Sequence, residues 1–276
     1  MSTPPPPASS GDAAPAAASV SWLRLALIGL AGGFLSGLFG VGGGILMVPL
    51  LITFAAMDQR RASATSLAAI VPTAIAGSIT YFANGEVDLL AALIVAVGGI
   101  IGAWAGARLL RRLPLGWLRW GFIALLVIVA IRLIVVAPER GAGSVDYDVA
   151  SVLGLIALGL VVGVASGLFG IGGGLVMVPA FIAFFGMGDL IAKGTSLAAM
   201  IPTAVSGTVT NVRGGLVDLR AGLIVGIAAT LASFGGVALA FLLPADVAAW
   251  LFAALLIVAA VQLAVRAVRA GRAGRA

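Results

Sequence analysis

The sequence contains neither cysteine nor histidine, and it has a single lysine among its 276 residues. Without cysteine the chain has no disulfides and no thiol chemistry. Without histidine it lacks the commonest metal ligand and proton shuttle in proteins. A His- or Cys-based catalytic pair is therefore excluded, and no GxSxG motif supplies a serine nucleophile. We expect no enzymatic activity, no metal site and no cofactor.

Charge is also scarce, because only 9% of the residues are charged and 62% are hydrophobic. A soluble domain carries about 25% charged residues. Seven stretches hold no charged residue at all: 25–57, 62–85, 89–107, 149–188, 194–212, 221–245 and 247–265. Several reach the length of about 20 residues that a spanning helix needs, and they lack the alternation of β-barrel strands. The sequence predicts an all-α polytopic membrane protein in contact with the lipid bilayer.

Two blocks of sequence occur twice, 130 residues apart. Residues 36–49 return as 166–179 with 11 of 14 positions identical, and residues 65–74 return as 195–204. Each half holds five apolar segments, and an odd number of crossings inverts the second half relative to the first. We predict two inverted-topology repeats with helices interrupted by glycine and proline. Whether the first two segments of each half both span, or form a re-entrant hairpin, stays open. The predicted segments are 22–40, 44–57, 62–84, 88–110 and 116–137, then 149–170, 174–188, 193–212, 219–243 and 246–266.

The domain organisation and the orientation follow from composition and charge. We predict a disordered tail over 1–20, membrane repeats over 21–140 and 141–266, and a basic cytoplasmic tail over 267–276. With the N-terminus in the cytoplasm, 13 of the 16 basic residues face the cytoplasm and seven of the ten acids face outward. This asymmetry is typical of membrane topology rather than of nucleic-acid binding. We therefore expect a multi-pass inner-membrane protein with both termini in the cytoplasm.

The glycine cluster of each repeated block is a candidate substrate site. Glycine is costly inside a helix and permits left-handed turns, so the cluster ends one helix before another begins. Backbone N–H groups at a restarting helix carry partial positive charge and bind anions. The alternative is close helix packing through small residues. The glycines that we expect to contact a small anionic substrate are Gly42, Gly43, Gly44, Gly172, Gly173 and Gly174.

Hydroxyl groups and prolines accompany the glycines in both halves. Hydroxyls donate hydrogen bonds to an oxyanion without a permanent charge, although Ser and Thr inside a helix also bond their own backbone. The candidate substrate-binding hydroxyls are those of Ser36, Thr65, Ser66, Thr73, Ser166, Thr195, Ser196 and Thr203. Proline removes a helical hydrogen bond and bends a helix. The predicted helix breaks lie at Pro49, Pro72, Pro179 and Pro202.

The paired blocks resemble the sulfite exporter TauE/SafE family of membrane permeases. The resemblance rests on residues 37–44 with Met47-Val48-Pro49, Thr65-Ser66 and Pro72, and on the same residues in the second copy. It covers roughly residues 22–266 and implies an inner-membrane transporter. The substrates known or proposed in this family are small sulfur-containing anions such as sulfite, sulfoacetate and thiosulfate, and other organic anions. We expect export of such an anion; a passive anion channel of the same fold is the alternative, and the oligomeric state stays open.

Overall fold

The structure is a computed structural model that describes residues 21–135 and 145–273. The tail predicted over 1–20 lies outside the described residues, as do 274–276 of the C-terminal tail. The described part of the chain is built from helices, which confirms the predicted all-α polytopic class. The helices are α1 Trp22–Phe39, α2 Gly44–Phe54, α3 Gln59–Ala83, α4 Leu89–Arg112, α5 Leu115–Val135, α6 Val149–Phe169, α7 Gly174–Phe185, α8 Asp189–Arg213, α9 Leu219–Leu242 and α10 Ala245–Ala273.

Each helix of the first half begins 130 residues before its equivalent in the second half. Six helices in the described part are long and apolar enough to cross a bilayer, namely α1, α3, α4, α6, α9 and α10. By contrast, α2 and α7 have only 11 and 12 residues. At 1.5 Å per residue they are about 16–18 Å long, whereas the hydrocarbon core is about 30 Å thick. These two helices therefore cannot cross the membrane alone.

The linker before α2 runs back along α1 and makes up the missing length. A Cβ on Gly43 would lie 2.2 Å from the Gly32 carbonyl oxygen, so the linker touches α1 at Gly32. Gly32 precedes the end of α1 by about two turns, which is about 12 Å. The return path from the end of α1 is therefore shared between this linker and α2. The first two segments of each half thus form one full helix followed by one half-helix.

The two halves exchange their first helices. α1 packs along α9, and α6 packs along α4. Glycines allow this close approach: a Cβ on Gly33 would lie 2.0 Å from the Ala229 carbonyl oxygen, and one on Gly163 would lie 2.4 Å from that of Gly99. Close packing through small residues is how membrane helices gain contact area without a hydrophobic driving force. Separating the halves would therefore expose two long glycine-lined interfaces.

The equivalent helices α3 and α8 cross at the centre and run antiparallel. A Cβ on Gly207 would meet the side chain of Leu67 at 2.6 Å, and one on Gly77 would meet that of Leu197 at 2.9 Å. Early residues of one helix thus lie beside late residues of the other. Both helices have 25 residues, so they overlap along their whole length. α5 and α10 pack together outside this centre.

The helices continue through all four prolines, which corrects the predicted helix breaks. Pro49 is inside α2, Pro72 inside α3, Pro179 inside α7 and Pro202 inside α8. Pro49 is also the sixth residue of α2, beyond the first turn where the sequence suggested it. A buried proline removes one hydrogen bond, but the packing of the surrounding helices keeps the segment helical. The interruptions in the first and second halves lie at the glycines.

Candidate transport site

The two glycine linkers lie side by side and antiparallel. A Cβ on Gly44 would be 2.3 Å from the Gly170 carbonyl oxygen, and one on Gly174 would be 2.4 Å from the Gly40 carbonyl oxygen. The start of each half-helix therefore packs on the end of the first helix of the other half. The structure brings both predicted glycine clusters together, although they are 130 residues apart in sequence.

Backbone conformation explains why these linkers need glycine. Gly42 and Gly43 have φ angles of 80° and 73°, and their equivalents Gly172 and Gly173 have φ angles of 78° and 96°. Residues with a Cβ rarely adopt positive φ, because the side chain crowds the backbone. The linker can therefore reverse direction beside α1 only with glycine at these positions.

The half-helices begin without side-chain caps. Gly43 and Gly173 are the N-cap residues, and neither half-helix has a capping side chain. The first helical hydrogen bonds run from the Leu46 and Met47 N–H groups to the Gly43 carbonyl oxygen, and the same pattern recurs after Gly173. The N–H groups of the two residues that open each half-helix have no backbone acceptor among the described residues. The positive ends of both half-helices therefore lie inside the protein.

Ser36 and Ser166 are the two predicted hydroxyls that stay available. Both residues are fully buried, and neither hydroxyl has a hydrogen-bond partner among the described residues. Ser36 lies one turn after Gly32, on the face of α1 that meets the linker. Because Ser166 is its equivalent on α6, each half-helix start has an unpartnered buried hydroxyl on the neighbouring helix. Such groups call for an explanation, since nearly all buried polar groups in native proteins are paired.

Four other predicted hydroxyls join the two halves together. The Ser66 hydroxyl donates to the Gly170 carbonyl oxygen at 2.9 Å, and the Ser196 hydroxyl donates to that of Gly40 at 2.9 Å. The remaining two accept from the backbone N–H groups that precede α9 and α4. Thr65 Oγ1 accepts from Asp218 at 3.0 Å, and Thr195 Oγ1 accepts from Asp88 at 2.9 Å. These hydroxyls hold the ends of helices from the opposite half.

The hydroxyls of Thr73 and Thr203 bond their own helices. Thr73 Oγ1 donates to the Ala69 carbonyl oxygen at 2.9 Å, and Thr203 Oγ1 donates to that of Ala199 at 2.8 Å. This is the alternative that the sequence left open for helical Ser and Thr. In this conformation neither hydroxyl is free to bind a substrate.

Apolar side chains fill the space between the two linkers. Added Cβ atoms on Gly42 and Gly172 would lie 3.1 and 2.9 Å from the sulfur of Met200. Ile70, the equivalent of Met200, lies against Gly172 and is fully buried. The two linkers are therefore closed on each other around these side chains. An anion can reach both half-helix starts only after the linkers separate.

A buried ion pair near the end of α1 was missed by the sequence analysis. The Lys193 ammonium lies 2.7 Å from Asp189 Oδ2, and the two side chains are only 3% and 4% exposed. The sequence placed both residues in an external linker before a segment starting at 193. The structure corrects this, because α8 begins at Asp189. The available signal was their i, i+4 spacing directly before the repeated block, where the first half has Gln59 and Ser63.

Tyr81 is a second residue that the sequence analysis missed. Its hydroxyl donates to the Gly37 carbonyl oxygen at 2.9 Å, and its side chain is fully buried. The equivalent residue in the second half is Asn211, whose side-chain nitrogen and oxygen have no partner among the described residues. The two halves therefore differ in polarity at the same place.

Two groups outside the spans have shifted pKa values. Burial, together with a short hydrogen bond to Asp88, raises the pKa of the Tyr147 phenol well above its usual range. Asp148 caps α6 by accepting a hydrogen bond from the Ser151 N–H at 2.8 Å, and this bond lowers the pKa of the Asp148 carboxyl. Both groups lie where the second half begins. Tyr147 ties that start to Asp88, which caps α4.

The family model described as Sulfite exporter TauE/SafE matches residues 3–133 and 155–276. The chain belongs to the TauE/SafE family. The resemblance seen in the glycine blocks is thereby confirmed, and the protein is a multi-pass membrane transporter by family.

Among curated proteins, this TauE/SafE member is similar to probable membrane transporter proteins. Probable membrane transporter protein YunE of Bacillus subtilis (strain 168) is 28% identical over 222 residues, covering 72% of this chain and 81% of YunE. A probable membrane transporter protein of Xylella fastidiosa (strain 9a5c) is 33% identical over 193 residues, covering 67% of this chain and 72% of that protein. No solved structure matches the chain.

Proposed function

We propose that this TauE/SafE transporter exports a small sulfur-containing anion, such as sulfite, across the inner membrane. The description of the family supports the substrate class. The basic residues on the cytoplasmic side support cytoplasmic termini and hence inner-membrane insertion. Net export is the direction that the family description implies.

The observation that carries this proposal is the pair of uncapped half-helices with a buried serine beside each. The positive end of a half-helix attracts negative charge, and transporters use discontinuous helices in this way for anionic substrates. The Ser36 and Ser166 hydroxyls have no structural partner among the described residues. In the proposed site these hydroxyls and the N–H groups of Gly44 and Gly174 donate to the oxygen atoms of the anion.

Transport requires the linkers to separate alternately toward the two sides of the membrane. The antiparallel crossing of α3 and α8 supports inverted halves, which rock against each other in alternating access. The matching hydrogen bonds from Ser66 to Gly170 and from Ser196 to Gly40 support two similar interfaces. Breaking one while keeping the other would open the site to one side only.

Flux of sulfite into proteoliposomes tests the proposal, with Ser36→Ala and Ser166→Ala as the informative variants. Each removes a hydroxyl without a partner, so the fold should be retained, whereas sulfite flux should fall about tenfold for one lost charge-assisted hydrogen bond. Thr73→Val is the matched control, because it removes a buried hydroxyl that bonds its own helix. Unchanged flux in both serine variants would remove the half-helix site.

A panel of anions tests the substrate class separately. Sulfite, sulfate, thiosulfate, sulfoacetate, acetate and chloride are compared at matched ionic strength by thermal unfolding and by flux. A ligand that binds the folded state raises the unfolding temperature. If no sulfur oxyanion is bound or carried, the proposed substrate is wrong. Flux that never exceeds the equilibrium distribution under any imposed ion gradient would identify a passive channel.

A further inference from the structure

The C-terminal ends of α1 and α6 are equivalent, but their surroundings differ in charge. At the end of α1, Gly40 packs on the backbone of Lys193, and the Lys193 ammonium pairs with Asp189 at 2.7 Å. A helix C-terminus carries partial negative charge and favours a cation. The protein therefore supplies its own cation at the end of α1. At the end of α6, Gly170 packs in the same way on the backbone of Ser63.

The α6 end has no such cation and instead collects unsatisfied polar groups. Gln59 and Ser63 replace Asp189 and Lys193, and Asn211 replaces Tyr81. Ser63 and Asn211 are fully buried, and Gln59 is 3% exposed. The Ser63 hydroxyl, the Gln59 amide nitrogen and both polar atoms of the Asn211 side chain lack a hydrogen-bond partner among the described residues.

Helix packing places these groups around one point. Ser63 lies one turn before Leu67, and Asn211 lies one turn after Gly207. Because Leu67 contacts Gly207 and the helices are antiparallel, Ser63 and Asn211 face each other. At the α1 end, the Gly37 carbonyl oxygen accepts a hydrogen bond from Tyr81. The equivalent carbonyl at the α6 end belongs to Gly167, where the shorter Asn211 side chain donates no such bond.

We propose that this cluster binds a sodium ion, which takes the place that Lys193 fills in the other half. The ligands are the Ser63 hydroxyl, the Asn211 side-chain oxygen and the Gly167 carbonyl oxygen, at the negative end of α6. Neutral oxygen atoms suit a hard cation. None of these groups titrates near neutral pH, so the cluster does not suit a proton.

The charges nearest the cluster are accounted for. Arg60 follows Gln59, but its guanidinium donates to the Leu113 carbonyl oxygen at 2.8 Å, in the loop after α4. Asp58 caps α3 by accepting from the Arg61 N–H. Neither arrangement places a carboxylate in the cluster, which argues for a monovalent rather than a divalent ion. Binding here, beside the Ser66–Gly170 hydrogen bond, would stabilise the closed contact between α3 and α6.

Thermal unfolding of the full-length protein in detergent tests the sodium site without any transport assay. Sodium chloride is compared with potassium chloride and choline chloride at equal ionic strength, so that chloride is constant. Sodium should raise the unfolding temperature in a saturable manner, and potassium should do so much more weakly. Ser63→Ala and Asn211→Ala should raise the half-saturating sodium concentration about tenfold or more. Ser36→Ala, which changes the α1 half instead, should leave it unchanged.

A double variant provides an independent check. Gln59→Asp with Ser63→Lys installs the ion pair of the other half, so the unfolding temperature should no longer respond to sodium. Equal responses to sodium, potassium and choline would overturn the proposal, as would an unchanged sodium response in Ser63→Ala. A response that follows the anion rather than sodium would also overturn it. A protein that shows the sodium shift but carries no sulfite would refute the proposed substrate and leave this site in place.

Discussion

The Ser66 hydroxyl donates a hydrogen bond to the Gly170 carbonyl oxygen, 104 residues further along the chain. Gly170 follows the last residue of α6, where a helix leaves carbonyl groups without helical partners. A serine from the other half thus satisfies a carbonyl that lipid could not. Ser196 does the same for Gly40. Two of the residues that the sequence suggested as substrate contacts therefore hold the interrupted helices in place.

We expect Ser66→Ala and Ser196→Ala each to lower the free energy of unfolding by about 1–3 kcal/mol, since a buried carbonyl loses its donor. Thr73→Val is the control: its acceptor carbonyl lies four residues earlier in the same helix, so the loss should be below about 1 kcal/mol. Thermal and denaturant unfolding in detergent measure the difference. Equal losses in all three variants would show that the bonds between halves have no special weight.

We expect Gly44→Ala to disrupt folding or abolish transport, because the new methyl group would lie 2.3 Å from the Gly170 carbonyl oxygen. This contact involves backbone on both sides, so neither partner can move aside cheaply. Gly116→Ala is the matched control, since a Cβ there meets nothing within 4 Å. Gly116→Ala should be neutral or slightly stabilising. Yield of monodisperse protein and unfolding temperature are the readouts, and wild-type behaviour of Gly44→Ala would contradict the close crossing.

We expect Asp189→Asn and Lys193→Met each to destabilise the protein by about 3 kcal/mol or more, because each leaves a buried charge without its partner. The double variant should lose much less than the sum of the two. A double-mutant cycle from unfolding measurements gives the coupling between the two side chains. Additive losses would mean that the ion pair does not contribute as a unit.

The Tyr147 phenol should make stability depend on pH at the alkaline end. Its pKa is raised in the folded protein, so its contribution is complete below the unfolded value of about 10 and is lost as the pH rises above it. The wild-type unfolding temperature should therefore fall more between pH 9 and about 12 than that of Tyr147→Phe. Parallel curves for the two proteins would show that the hydrogen bond to Asp88 adds nothing. The effect should be small, because Tyr147 is 39% exposed.

Sequence analysis placed the helices well and the site hydroxyls only in part. Apolar run lengths located all ten helices in the described chain to within several residues, except that α10 continues to Ala273. The start of α8 was misplaced, because Asp189 and Lys193 look like loop residues until they are known to pair. The prolines were overrated as helix breaks, since local propensity cannot foresee the packing that keeps α3 and α8 helical through Pro72 and Pro202.

The sequence by itself determined the class of protein, the family and the duplicated glycine interruptions, because hydrophobic length and glycine conformation are local properties. Only the tertiary structure decided that the halves exchange helices, that Ser66 and Ser196 bond across them, and that Ser36 and Ser166 remain unpartnered. Those outcomes depend on which helix ends meet, and residues 104 and 156 positions apart carry no local sign of that meeting. The difference between Lys193 and Ser63 is visible in the sequence. Its meaning depends on the helix ends against which the two residues pack.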